Sequence, residues 1–231
     1  MYVPAHFAMT EPEVAELLAK AATADLISPS ADGLIATFLP MLYEPAPLLP
    51  RSSVDAHSHQ PAGSLLGHVA RTNPHWRAAG AGESLAIVRG PDAYVSPRFY
   101  ASKAEHGRVV PTWNYVTAHV YGRLVAHDDV DWLRTLVTRL TERHEGAMGG
   151  PDSGGEPWAV TDAPAAFIDG QLRAIVGVEL VIDRIEAKSK LSQNRSEADR
   201  SGVVAGLSAG SCGAQAVAAA VKVGKRAREE R

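Results

Sequence analysis

Three stretches of this sequence concentrate side chains that could hold a ligand. The first is Gly67-His68-Val69-Ala70-Arg71-Thr72-Asn73-Pro74-His75-Trp76-Arg77. A strand passes directly into a helix here, with Asn73 as its cap and Pro74 at its first position. Free amides, the Thr72 hydroxyl and the forks of Arg71 and Arg77 would converge there, a donor set that suits a phosphate monoester. An ordinary capped helix with surface arginines accounts for the same residues. The second stretch is Val110-Pro111-Thr112-Trp113-Asn114-Tyr115, followed by His119 and Tyr121. An aromatic and amide cluster at a strand mouth could pack on a flat heterocycle and bond its polar edge. Aromatic plugging of a barrel end is the alternative. The third is Lys188-Ser189-Lys190-Leu191-Ser192-Gln193-Asn194-Arg195. Its basic and amide groups could close over an anion, and a solvated loop leading to a helix cap reads the same way.

Other motifs lack the setting that their chemistry needs. Gly206-Leu207-Ser208-Ala209-Gly210 spells a nucleophile elbow, but no strand precedes it and no apolar helix follows. His57 and His59 have no carboxylate or thiolate at metal-site spacing, so no metal site is expected. Neither a Walker loop nor a G-x-G-x-x-G fingerprint occurs. Lys222, Lys225, Arg226, Arg228 and Arg231 make a basic end, which Glu229 and Glu230 dilute.

The elements that must position these stretches follow from periodicity and turn chemistry. Thr10 and Glu13 form a capping box, so a helix is predicted from there to about Thr23 with Val14, Leu17, Leu18 and Ala21 buried. Strands are predicted over 25–29 and 34–42 around a turn ending in Gly33. The Pro/Ser/His-rich stretch 44–63 reads as loop, with a short edge strand near 53–56. Strands then follow at 64–70, 84–89 and 93–96, with Gly90-Pro91-Asp92 as a turn. Residues 97–113 read as a long loop and 114–127 as a long strand with Gly122 as a bulge or close-packing point. A helix is expected over 128–144, a Gly/Pro-rich loop to 157, and one or two helical turns at 163–169. A strand over 175–185 and a helix over 196–207 complete the domain. Strands in runs favour an antiparallel barrel or sandwich with peripheral helices over a doubly wound parallel sheet.

The 231 residues are 45% hydrophobic, enough for one β-rich domain with a helical appendage. The organisation expected is a domain over 1–207 and a flexible small-residue and basic tail over 208–231, frayed or disordered or with some helix from Gln215 onward. The formal net charge of -3 argues against broad electrostatic binding to nucleic acid. Cys212 is the sole cysteine, so no intrachain disulfide can form. No signal segment and no apolar run of about eighteen residues is evident, so no membrane partner is expected and the default compartment is cytoplasmic.

Taken together, these stretches resemble the PaiB-like family of FMN-binding negative transcriptional regulators. The resemblance runs through Met1-Tyr2-Val3-Pro4 with Phe7, Leu66 to Pro74, and Gly90-Pro91-Asp92-Ala93-Tyr94-Val95-Ser96-Pro97. It continues through Val110 to Tyr115, Gly177, Lys190 to Arg195 and Asp199. It covers about residues 1–207, and departs at the insert near 45–62 and in the tail. It implies a mainly β fold with peripheral helices: a six-stranded antiparallel split barrel like that of pyridoxamine-phosphate oxidase. It also implies a homodimer with FMN at the subunit interface. His68, Ala70, Arg71, Thr72, Asn73, Trp76 and Arg77 would then lie at the phosphate end. Thr112, Trp113, Asn114 and His119 would approach the flavin, with Ser192, Gln193, Asn194 and Arg195 completing the site. DNA is a partner by resemblance alone, since no helix-turn-helix stands out. A flavin-dependent oxidoreductase acting on a small molecule is the competing class.

Overall fold

The structure is a computed structural model that describes residues 1–45, 63–148 and 155–229, with side chains to residue 223. The expected edge strand near 53–56 and the pair His57 and His59 lie outside the described residues. Seven strands form one sheet: β1 (Thr23–Ser30), β2 (Gly33–Pro40), β3 (Leu42–Glu44), β4 (Ser64–Ala70), β5 (Glu83–Val95), β6 (Thr112–His127) and β7 (Ile175–Lys190). Their order is β2-β1-β5-β6-β7-β4-β3. Among the described residues six helices accompany them: α1 (Glu11–Lys20), α2 (Ser102–His106), α3 (Val130–Met148), α4 (Ala165–Arg173), α5 (Glu197–Ser208) and α6 (Cys212–Glu229). The mainly β architecture with peripheral helices is therefore present, and the sheet is antiparallel. The resemblance implied six strands. The seventh is the three-residue β3, which pairs Leu42 with Leu66.

The chain divides into two compact units. The first comprises Met1–Leu17, Arg89–His119 and Glu186–Arg231, and the second Leu18–Val88 and Val120–Ile185. In the second unit β1 and β2 form a hairpin closed by Ala31 and Asp32, with Gly33 at φ 110° as its chemistry requires. Alternation puts Ala24, Leu26, Leu39, Leu65, Val178 and Leu180 into the core. Helix α3 lays Leu136 and Leu140 on Leu42 and Leu66, and packs Leu133 on Ile168 and Leu172 of α4. Two glycines permit close approach in this unit. A Cβ on Gly122 would lie 2.0 Å from the Val181 carbonyl oxygen, and one on Gly177 would lie 2.1 Å from the Trp132 ring.

The first unit has its own core of Ala93, Val95, Tyr100, Val116, Leu191, Val203, Leu207, Val217 and Val221. Four expectations change here. The turn expected at 90–92 is instead continuous strand within β5. The long loop 97–113 contains a 3-10 turn (Pro97–Phe99), helix α2 and the start of β6. Strand β7 runs five residues beyond 185 and takes in Lys188 and Lys190. The flexible tail over 208–231 is replaced from Cys212 by α6, and Val217, Ala218 and Val221 are buried against the α5 side of that core. Their i, i+1, i+4 spacing gives an apolar stripe that docking completes. The division at 207 thus cuts through one packed cluster.

Candidate functional site

The strand-to-turn corner of the second unit is tightly tied into its own surroundings. The Asn73 Oδ1 accepts the His75 amide at 3.0 Å and caps a five-residue 3-10 turn, Pro74–Ala78. The His75 ring is fully buried. Its Nδ1 lies 2.8 Å from the Thr37 hydroxyl and its Nε2 3.0 Å from the Ser28 hydroxyl, which in turn meets Ser84 at 2.8 Å. Burial lowers the imidazole below the usual histidine range, which favours the neutral ring that links the Thr37 and Ser28 hydroxyls. Arg71, expected to aim its fork at a phosphate, spends it inside the protein. It donates to Asp128 at 3.0 Å, to the Arg173 carbonyl at 2.7 Å and to the Ile175 carbonyl at 2.9 Å. The side-chain bond to Asp128 raises the arginine and lowers the carboxylate. Trp76 Nε1 donates to the Arg71 carbonyl at 3.1 Å, and the Arg77 guanidinium lies 5.2 Å from the Trp76 ring centroid. Ala70, Thr72 and Arg77 are exposed. His68 has a buried Nδ1 without a partner among the described residues, and burial lowers its pKa.

The first unit gathers a different set. Asn114, fully buried at the start of β6, exchanges two hydrogen bonds with the Ser192 hydroxyl, at 3.0 and 3.2 Å. Ser192 holds a left-handed φ of 64°. That conformation is uncommon away from glycine and costs about 1 kcal/mol, which the hydrogen bonds to Asn114 help offset. One residue before Asn114, Trp113 stays half-exposed, donates from Nε1 to Asp92 at 2.9 Å and meets Tyr94 edge to face. Lys190 Nζ donates to the Thr112 hydroxyl at 2.5 Å and to the Trp113 carbonyl at 2.9 Å. Burial lowers its pKa, Tyr115 opposes that shift, and Lys188 and Arg195 add to it. The Arg195 guanidinium sits 4.7 Å from the Tyr100 ring centroid.

Thr112, Trp113, Asn114, Ser192 and Arg195 are therefore brought together. Gln193 is turned back on its own loop, accepting from the Leu191 amide and donating to the Ser189 carbonyl. Asn194 is exposed. His119 shares the Trp113 and Tyr115 face of β6, while Thr112 and Asn114 share the other. Burial, and then the Met1 amino group, lower the His119 pKa. The sequence reading named Lys188 and Lys190 as basic groups that could close over an anion, but placed them in a loop because it ended the strand at 185. Continued period-2 alternation through Glu186, Lys188 and Lys190 was the signal available.

Residues 1–184 match the family described as "Putative FMN-binding domain". The chain belongs to that family. A relative of unassigned role from Aspergillus fumigatus is 32% identical over 80% of this chain and 80% of its own. One from Emericella nidulans is 33% identical over 63% of this chain, and the match spans 66% of that protein's length. "Protease synthase and sporulation protein PAI 2" of Bacillus subtilis is 28% identical over 88% of this chain and 87% of its own. A solved structure, a conserved protein of unassigned role from Mycobacterium tuberculosis, shares the fold with a TM-score of 0.53 at 14% identity, covering 85% of this chain and 95% of that one. The protein is thus an FMN-binding, PaiB-like protein with an antiparallel split-barrel fold, and its cofactor is FMN.

Proposed function

We propose that this protein is a cytoplasmic homodimer that uses FMN in PaiB-like negative transcriptional regulation, with the flavin held by the group around Asn114 in the first unit. The half-exposed Trp113, on the same face of β6 as His119, supports this reading: it offers an indole for a flat ring, and the buried Asn114–Ser192 pair on the other face fixes the strand mouth that carries it. Thr112, His119 and Arg195 complete the set. Bound FMN supplies one- and two-electron redox chemistry, and the residues named orient it and exclude water around it.

A regulator needs a route to DNA, and α3 does not offer one. Its three arginines are engaged within the second unit: Arg134 with Asp169, Arg139 with Glu44 at 2.7 Å, and Arg143 with the Ala19 and Ala21 carbonyls at 2.7 Å. A reading helix needs such side chains free on one face. DNA-linked action therefore runs through the dimer surface or through a partner. The test joins a flavin titration, followed by the visible absorbance spectrum, to a gel shift of the holoprotein on its own upstream region. Flavin binding that Asn114→Ala weakens, together with sequence-restricted binding of DNA alone or with a partner, is the expected outcome. Flavin reduction by a nicotinamide cofactor with no DNA association would replace this reading by an oxidoreductase.

A further inference from the structure

Lys188 is only 8% exposed, yet its ammonium has no carboxylate partner. It donates to the Tyr2 carbonyl at 3.2 Å and lies 5.5 to 5.8 Å from the rings of Tyr115, Tyr2 and Phe7. Lys190 follows on the same face of β7, 6.0 Å from the same Tyr115 ring, and its bonds go to a hydroxyl and a carbonyl. Arg195 is close enough to act on Lys190 electrostatically. Among nearby carboxylates, Glu186 pairs with the Met1 amino group, and Asp199 accepts from the Ser102 amide and hydroxyl at 2.9 Å while acting on Arg195. No carboxylate forms an ion pair with Lys188, Lys190 or Arg195 among the described residues. Gathering three cations and partly drying two of them is costly without a counter-charge.

We propose that Lys188, Lys190 and Arg195 form an anion site that takes the phosphate monoester of FMN, with Lys190 and the Thr112 hydroxyl as its direct ligands. This rests on the flavin-binding reading above and moves the phosphate to these cations from the corner at 68–77, where Arg71 is already committed. Lys190 keeps a third donor beyond its two bonds, and Thr112, accepting from Lys190, has its own hydrogen free to donate. Ammonium, hydroxyl and guanidinium together match a phosphate dianion.

The test compares FMN with riboflavin, which lacks the phosphate, by fluorescence titration of the full chain. Lys190→Gln should weaken FMN by about tenfold or more and leave riboflavin within about twofold. Lys190→Arg should recover most of the loss, and Lys188→Gln should repeat the pattern more weakly. Riboflavin binding doubles as the check that each variant is folded. Equal losses for both ligands would assign the cluster to the ring or to the fold, and overturn the proposal. Unchanged FMN affinity in Lys190→Gln would overturn it too, while the flavin-binding reading survived. A wild-type chain that bound neither flavin would remove both.

Discussion

The Glu179 carboxylate is fully buried on β7, a placement that is unfavourable unless the charge is satisfied. Ser64 donates to it at 2.6 Å and His127 Nε2 lies 2.8 Å away, with Trp132 stacked on the imidazole at 4.1 Å between centroids. Burial pushes this carboxyl up, but the bonds from His127 and Ser64 outweigh it and hold the group below the usual carboxylate range. A lowered folded pKa means that the ionised form stabilises the fold at neutral pH. That contribution is fully present above the unfolded value and fades as pH falls through the folded one. Glu179→Ala is expected to cost about 3 kcal/mol at neutral pH, because it strands Ser64 and His127. Urea unfolding of the wild type and Glu179→Gln from pH 7 downward checks the sign. Their difference should shrink only in acid, below about pH 4.3. A difference that grew on acidification would show that the carboxyl is protonated in the folded protein.

At the scale of elements, glycines decide how closely helices approach. Gly202 and Gly206 sit on α5 with no room for a side chain: an added Cβ would fall 2.0 Å from the Phe99 carbonyl oxygen and 2.3 Å from the Phe99 ring. The G-x-S-x-G pattern thus has a packing reason, since Gly206 and Ser208 belong to one helix and no strand leads into it. Gly202→Ala should destabilise by about 2 kcal/mol through overpacking, whereas Ser208→Ala at the exposed end should change stability by less than about 0.5 kcal/mol. Thermal melts of the two variants measure this, and equal shifts would contradict the packing account. The same contrast applies to α6. Its Ala-rich stretch follows a Gly/Ala/Ser segment that reads as frayed, and three buried side chains fix it on the core of the first unit.

For the molecule as a whole, the edge hairpin carries the feature that bears on assembly. Strand β2 turns Leu34, Ala36, Phe38 and Pro40 outward, with Leu34 80% and Phe38 68% exposed. Pro29 and Ile27 pair across the hairpin with Leu34 and Ala36, while Asp25 faces Phe38, so the outer face is apolar over the turn half of the hairpin. Exposed edges and contiguous apolar faces are what a protein usually covers. The homodimer proposed above would bury this face. Light scattering at micromolar concentration should give a dimer for the wild type and a monomer for Leu34→Lys with Phe38→Glu. A wild-type monomer would refute the dimer, and a dimer in the double variant would place its interface elsewhere. No helix among the described residues is long and apolar enough to cross a membrane.

Residue order alone determined the element types, because hydrophobic period and turn residues act locally. The capping box at Thr10, the Gly33 hairpin, the Asn73 cap and strand β4 lie where the pattern puts them. Family motifs also marked the Thr112 to Asn114 and Ser192 to Arg195 segments as belonging to one site, and the structure brings Asn114 and Ser192 into contact across 78 positions. Tertiary structure decided what each polar group is spent on. Arg71 looks like a free fork until Asp128, 57 positions away, takes it. The arginines of α3 look like a basic face until Asp169, Glu44 and two carbonyls absorb them. Lys188 and Lys190 look like loop charges until β7 extends and, among the described residues, leaves them without a carboxylate ion pair. Pairing of charges depends on distances between remote segments, which no local pattern encodes.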